Sequence, residues 1–294
     1  IIDPDSDPGY DGAEIIEVLS EQAEDRYLGY LRSMNIPYIF AGKESIDVGL
    51  ALEKLREKFL VEKLQGQKVD AIIQVGGSVD DLTTNLEYSE FINRIMTTTP
   101  VVVTGKLDGT QCHMVRIDDT KVLDLQMEYL LELGHEQIAI IGGNIDVVST
   151  FTKVQRYKQI MQKYKMDYNP EYIITNGDYS VNCGYESMNK LFEKEIPITA
   201  VVAINDFTAI GVVRSIVEHG FKIPEDISVV SQDNTFLTDM VVPGLTSVDY
   251  DYTEFGKRLV DTAIAIVEGR EVPMLQKVPP KLVVRESCGK VKKR

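Results

Sequence analysis

Short apolar runs alternate with longer amphipathic stretches along most of the sequence, and this alternation limits the folds that the chain can adopt. Strands that are buried on both faces are continuously apolar, whereas half-exposed strands alternate apolar and polar residues. The alternation of such strands with helices predicts an α/β fold of parallel sheets with helices on both faces. The predicted strands lie at residues 14–19, 36–42, 70–77, 100–105, 137–143, 171–177, 200–205 and 227–233.

The stretches between these runs carry apolar residues at helical spacing. Leu123, Met127, Leu130 and Leu131 share one face of a predicted helix, and Gly134 follows where a C-cap is expected. Further helices are predicted within residues 23–35, 51–59, 154–165, 184–195, 208–220 and 255–269. No linker rich in Pro, Gly or Ser divides the chain. We therefore expect two α/β lobes between which the chain crosses several times.

Composition excludes several classes of function. The 294 residues carry a net charge of −15, which argues against direct contact with a nucleic-acid backbone. No apolar run approaches the ~18 residues that a membrane span requires. The three cysteines are far apart, so we expect neither a disulfide framework nor a zinc site.

The sequence also lacks the common catalytic motifs. We find no HExxH, GxSxG or Walker A pattern. This absence favours binding over catalysis, and we expect no cofactor and no metal.

Polar residues at strand ends are the first candidates for a site, because open parallel sheets bind ligands beyond the carboxyl ends of their strands. Single Asn and Asp residues there are more often helix caps, but several converging strand ends favour a ligand site. We expect Asn205 to face the ligand and Asp206 to cap the following helix. The candidates are Ser20, Lys153, Asn205, Asp206, Gln232 and Asp233.

Four motifs in register make residues 69–290 resemble the effector-binding domain of the lactose/galactose-repressor (LacI/GalR) family of bacterial transcription regulators. They are "LLELGHEQIAIIGG", "VVAINDFTAIGVVRSIVEHGFKIPEDISVVSQDN", "VPGLTSVDYDYTEFGKRLVDTAIAIVEG" and "PPKLVVRES".

This resemblance implies a periplasmic-binding-protein-like fold of type I, with two doubly wound parallel-sheet lobes joined by three crossovers. The expected lobes are residues 1–135 plus 246–272 and residues 136–245 plus 273–290. The resemblance also implies a cytoplasmic homodimer that responds to a small effector, a sugar or sugar derivative. Operator DNA would be bound only through an N-terminal helix-turn-helix domain, which we expect to be absent from this chain.

The resemblance also implies roles for individual residues. Asn205 and Asp233 match residues that hydrogen-bond the ligand, and Tyr179 matches an aromatic ring beside it. Tyr250 and Tyr252 fall on the segment that returns through the hinge. Lys153 replaces an arginine that usually clamps the ligand.

The sequence departs from the family at several positions. A lysine at position 153 offers a point charge and not a fork. Ser231 and Gln232 stand where the family has glycine and an aromatic residue. These departures affect which ligand is bound more than where it is bound.

The first part of the chain shows a second resemblance. Residues 10–62 resemble a fragment of the dihydrofolate-reductase-like reductases of riboflavin biosynthesis, without the Glu-Gly-Gly cofactor loop that should follow. Either this lobe is divergent, or the chain is recombined or engineered.

Three functions follow from these patterns. The leading hypothesis is an effector-binding domain that closes on its ligand and alters DNA binding. The alternatives are a solute-binding protein of a transporter and an NADPH-dependent reductase.

Overall fold

A computed structural model describes residues 17–20, 22–34, 38–41, 43–45, 47–166, 169–175 and 177–292. The chain divides into two compact units, residues 1–69 and residues 70–294. Both contain parallel strands and helices, which confirms the predicted α/β class. Within the described ranges, no helix combines the length and apolar character needed to cross a bilayer.

The first unit contains a parallel pair of strands and two helices. Ile39, Ala41 and Ala51 form its buried core. Asp47 caps the second helix by accepting a hydrogen bond from the amide of Leu50 at 3.0 Å. Its elements are β1 (Glu17–Leu19), α1 (Asp25–Ser33), β2 (Tyr38–Phe40) and α2 (Val48–Gly66). Residues 14–16, 36–37, 42 and 176 of the predicted strands lie outside the described residues.

The second unit begins with a four-stranded parallel sheet in the order β11-β5-β4-β3. Its core joins Val102 and Val115 of the sheet to Leu259 and Ala263 of α8. Strand β5 was not predicted, because His113 and Arg116 interrupt its apolar pattern. The elements are β3 (Ile72–Gln74), α3 (Leu86–Met96), β4 (Val101–Val103), β5 (His113–Ile117), α8 (Tyr252–Val267) and β11 (Leu275–Val278).

A six-stranded sheet forms the rest of the second unit, in the order β12-β10-β9-β8-β6-β7. All neighbouring strands are parallel except β12, which runs antiparallel to β10. The strands are β6 (Ile138–Ile141), β7 (Ile173–Ile174), β8 (Ala200–Ala203), β9 (Ser228–Gln232), β10 (Thr246–Asp249) and β12 (Lys281–Val283). The helices are α4 (Asp119–Glu132), α5 (Val148–Lys163), α6 (Val181–Glu193) and α7 (Asp206–Glu218).

Alternate residues of the central strands enter two separate cores, one on each face of the six-stranded sheet. In β8, Val201 and Ala203 pack with α6 and α7, whereas Ala200 and Val202 pack with α4 and α5. Successive strand residues point to opposite faces, so both faces of this strand must be apolar. This explains the continuous apolar runs of the sequence.

The chain passes three times between the two sheets of the second unit, as far as its described residues show. It crosses at Asp118 between β5 and α4, at residues 250–251 between β10 and α8, and at Pro279 and Pro280 between β11 and β12. The expected three crossovers are therefore present.

Strand pairing moves two of the predicted lobe boundaries. Thr246–Asp249 was expected in the first lobe, but this strand pairs with β9 in the six-stranded sheet. Leu275–Val278 was expected in the second lobe, but it pairs with β5 in the four-stranded sheet. The cause is burial, because Thr246, Ser247 and Val248 fill the sheet between β9 and β12 and the chain crosses only after them. The lobe membership of residues 1–69 stays a prediction.

Two glycines allow α6 and α7 to pack at backbone contact. A Cβ on Gly184 would lie 2.0 Å from the carbonyl oxygen of Thr208, and one on Gly211 would lie 1.9 Å from that of Val181. No side chain fits at such distances, so each helix is held directly against the backbone of the other.

We expect Gly211→Ala to lower the free energy of unfolding by about 2–3 kcal/mol, because the two helices must separate to admit the methyl group. Gly256→Ala is the matched control, since nothing lies within 4 Å of a Cβ at that position in α8. The control should be neutral or stabilising by about 0.5–1 kcal/mol. Urea denaturation measures both, and equal effects would contradict the packing described.

Candidate functional site

A cavity of about 290 Å³ opens in the second unit, at the carboxyl ends of strands from both sheets. Its walls mix hydroxyl, amide, carboxylate and guanidinium groups with aromatic rings. Parallel sheets place ligands at such strand ends. The lining residues are Val75, Asp80, Thr104, Arg116, Ile117, Asp119, Val148, Ser149, Tyr179, Ile204, Asn205, Gln232, Asp233, Tyr250, Tyr252 and Phe255.

Asp233 follows β9 and reaches the cavity through an unusual backbone conformation. Its φ angle is +99°, and its amide donates to the carbonyl of Val248 at 2.9 Å. Burial and the neighbouring Asp206 carboxylate raise the pKa of Asp233 to about 7, against the opposing effects of Lys153 and of hydrogen bonds from Tyr252 and Tyr250. The side chain therefore changes its charge near neutral pH.

Asp206 has a structural role that differs from the predicted one. It is fully buried, and its carboxylate accepts hydrogen bonds from the hydroxyls of Ser231 at 2.6 Å and Ser247 at 2.8 Å. It also accepts from the amide and the hydroxyl of Thr235, at 2.7 and 2.9 Å. These bonds tie the start of α7 to β9, β10 and the loop between them. Asp206 is thus not the helix cap that the sequence suggested.

Asn205 is the cap of α7. Its Oδ1 accepts from the amide of Thr208 at 2.8 Å, and its Nδ2 donates to the carbonyl of Tyr179 at 3.0 Å. An Asn oxygen can accept a second bond and its nitrogen carries a second hydrogen. Asn205 therefore still has one acceptor and one donor position for a ligand in the cavity that it lines.

Lys153 lies behind the cavity wall. Its side chain is only 2% exposed, and its Nζ donates to Asp119 at 2.7 Å and to the hydroxyl of Ser149 at 2.6 Å. Burial raises the pKa of Asp119, but Lys153, Ser149 and the charge of Arg116 outweigh it, and the net pKa is lowered. Asp119 and Ser149 line the cavity, whereas Lys153 is not among its described lining residues. Direct contact of Lys153 with a ligand stays a prediction.

All three predicted tyrosines, Tyr179, Tyr250 and Tyr252, line the same cavity. The Tyr179 hydroxyl lies 3.0 Å from that of Thr150. Tyr250 is buried, and its ring meets that of Tyr252 edge to face with centroids 5.8 Å apart. Burial is the main cause that raises the pKa of the Tyr250 and Tyr252 hydroxyls. Both hydroxyls therefore remain protonated and can donate hydrogen bonds near neutral pH.

Ser20 belongs to the first unit, where it follows β1. Its assignment to the ligand site stays a prediction.

Sequence reasoning missed the part of the site that the four-stranded sheet supplies. Thr104 follows β4, Arg116 lies near the end of β5, and Asp119 begins α4. The signal was present, since polar residues stand at the ends of these strands. Arg116 and Asp119 were missed because β5 was not recognised as a strand, whereas Thr104 stood at the end of a predicted strand and was overlooked.

Because Asn205 caps α7 and Asp206 binds four donors, we expect mutation of the two residues to lower the free energy of unfolding by different amounts. Asp206→Ala should lower the free energy of unfolding by about 3–5 kcal/mol, because two buried and two partly buried donors lose their acceptor. Asn205→Ala should cost only about 1 kcal/mol, as is typical for a lost cap. Chemical denaturation of both variants checks this, and a larger cost at position 205 would contradict it.

The raised pKa of Asp233 predicts that stability depends on pH. Between the ordinary value of 3.8 and about 7, the folded state holds this proton more tightly than the unfolded state. The free energy of unfolding should therefore fall as pH rises through that window. Asp233→Asn cannot titrate, so its stability relative to wild type should rise across the window by about 4 kcal/mol. A constant difference between the two proteins, in denaturation series from pH 4 to pH 8, would contradict the shift.

Known proteins resemble this chain over most of the second unit. The profile of a family described as periplasmic binding protein-like domain matches residues 127–288. Catabolite control protein A of Priestia megaterium is 30% identical over 195 residues, which are 66% of this chain and 56% of that protein. The HTH-type transcriptional repressor PurR of Histophilus somni is 32% identical over 162 residues, 54% of this chain and 48% of that protein. The chain spans about half the length of the curated relatives that it matches.

A solved structure supports the fold over a longer range. The crystal structure of the lac repressor dimer bound to operator and the anti-inducer ONPF matches with a TM-score of 0.72 and 23% identity, over 94% of each chain. This identity supports the fold alone. Residues 70–294 are 225 of the 294 residues, so the match extends into the first unit. The resemblance of residues 10–62 to a reductase gains no support from these relatives.

Proposed function

Because the chain belongs to the family of periplasmic binding protein-like domains, we propose that it is the effector-binding domain of a LacI-type transcription regulator and takes a small polar ligand into the cavity. The resemblance to the LacI/GalR family is confirmed by its regulator relatives. The observation that carries the proposal is the convergence of groups from both sheets on one cavity. The ligand and the consequences of its binding are parts of the proposal.

The chemistry of the cavity suits a sugar or a sugar derivative. Asp233 offers carboxylate oxygens, and Asn205 still has one donor and one acceptor position. Ring hydroxyls of a sugar both donate and accept hydrogen bonds, so they match these groups. The rings of Tyr179 and Tyr252 supply apolar surface for the C–H faces of a sugar.

A ligand in this cavity would bridge the two sheets. Arg116 and Thr104 come from the four-stranded sheet, whereas Asn205 and Asp233 come from the six-stranded sheet. Contacts to both walls stabilise the arrangement that brings them together, so binding shifts the population toward a closed state. Such a shift is how an effector would act on the rest of a regulator.

The regulator as a whole would act as a homodimer on operator DNA in the cytoplasm. The lac repressor, which shares the fold, is a dimer bound to operator in its crystal structure. The net charge of −15 makes direct DNA contact by these residues unfavourable. A DNA-binding segment beyond these residues would therefore supply that contact.

Titration calorimetry with hexoses, pentoses and nucleosides tests this function. For any compound that binds, Asp233→Ala should weaken affinity by about 10- to 100-fold, because a charged or strongly polar hydrogen-bond partner is lost. Asp261→Ala is the matched control, since this exposed carboxylate pairs only with Lys257 on α8. Unchanged affinity in Asp233→Ala would overturn the site assignment. If no member of the panel binds, the sugar proposal fails.

A further inference from the structure

Resting on the proposed function, we infer that the ligand of this cavity carries an anionic group, a carboxylate or a phosphate, and that Arg116 binds it. The same ligand would present hydroxyl groups to Gln232 and Asp233 on the opposite wall. An acidic sugar or a sugar phosphate meets both requirements.

Arg116 stands out among the arginines of the second unit. Five of its seven arginines in the described ranges pair with a carboxylate, and Arg94 lies over the ring of Phe91. The side chain of Arg116 makes no hydrogen bond and no ion pair with any described residue. It helps to lower the pKa of the nearby Asp119, but that carboxylate forms its ion pair with Lys153. The paired arginines are Arg156, Arg214, Arg258, Arg270 and Arg285.

The free guanidinium faces the cavity from β5 and is not fully exposed. A guanidinium has five N–H donors in a planar fork, which fits two oxygens of a carboxylate or phosphate. Removing such a group from bulk water without a partner is unfavourable. An anionic group of the ligand would supply the partner that the protein does not.

Gln232 is an independent observation on the opposite wall. Its side chain lines the cavity and is only 7% exposed, and its buried Oε1 has no hydrogen-bond partner among the described residues. An unsatisfied buried acceptor costs about 1–3 kcal/mol, so a donor from the ligand would remove that cost. A hydroxyl group of a sugar is such a donor.

Two of the three carboxylates that line the cavity, Asp119 and Asp233, do not exclude an anion. Asp119 is neutralised by Lys153 at 2.7 Å, with a further hydrogen bond from Ser149. Asp233 has a pKa of about 7, so it is protonated in part at neutral pH and carries less than a full charge. The wall around Arg116 is therefore less negative than its composition suggests.

The cavity extends from Arg116 on one wall to Gln232 on the other. Arg116 belongs to the four-stranded sheet, and Gln232 ends β9 of the six-stranded sheet. A ligand with an acidic group at one end and hydroxyls at the other would contact both. The charge at Arg116 then selects acidic over neutral sugars, while the hydroxyls set the orientation.

Matched probes test the inference on the purified chain. Calorimetry at pH 7 compares glucose, galactose and mannose with their uronates and their 6-phosphates. We expect the uronate or the 6-phosphate of at least one series to bind about 10- to 100-fold more tightly than the neutral parent. Which of the two is preferred distinguishes a carboxylate from a phosphate ligand.

Substitution at position 116 assigns the effect to its residue. Arg116→Gln should abolish the difference in affinity between the anionic probe and its neutral parent, whatever its effect on the neutral sugar. Arg94→Gln is the control for net charge, because Arg94 is not among the lining residues. Thermal denaturation of both variants without ligand shows that each is folded.

The outcomes separate the two proposals. If a neutral sugar binds and its anionic derivatives bind no more tightly, this inference is wrong and the proposed sugar binding stands. If Arg116→Gln and Arg94→Gln weaken the anionic probe equally, the effect is general charge and the assignment to Arg116 is wrong. If neither the neutral nor the anionic probes bind, the proposed function fails together with the inference.

Discussion

The buried carboxylate of Asp206 joins β9, β10 and the start of α7, and these elements carry Asn205, Gln232 and Asp233 to the cavity. A carboxylate removed from water is unfavourable unless donors surround it. Here the donors come from β9, β10 and the loop between them, so satisfying one charge fixes the ends of two strands against α7. Asp233 leaves β9 directly beside this cluster, and its charge is destabilised by the same carboxylate. The same carboxylate thus fixes the ends of β9 and β10 and raises the pKa of Asp233.

The sequence predicts much of the fold because both-face burial leaves a clear pattern. Strands such as β6 and β8 sit in the middle of a sheet and are apolar throughout. The pattern fails for edge and mixed strands, where one polar residue is tolerated. Strand β5 carries Arg116 toward the cavity, and β11 exposes Leu275 at the edge of its sheet. Neither has the uniform composition from which a strand can be recognised.

The position of the candidate site could be predicted from the sequence, but the role of each of its residues could not. Asn205 and Asp233 were expected at strand ends, and both line the cavity. The sequence could not show which of two adjacent polar residues caps the helix, because Asn and Asp are nearly equal as caps. That choice depends on which side chain meets the hydroxyls of Ser231 and Ser247, and these come from distant parts of the chain. Arg116 was missed for a similar reason, since only the fold shows that it lacks a partner.

The crossing made of Pro279 and Pro280 restricts how the two sheets of the second unit can move. Any change in the angle between the sheets requires rotation about backbone bonds in the segments that join them. Ordinary residues contribute two soft dihedral angles each, but a proline ring fixes φ and leaves only ψ. This connection therefore has about half the torsional freedom of two ordinary residues. It is a short, stiff connection. Most of the rotation that changes the angle between the two sheets must therefore occur in the other two connections.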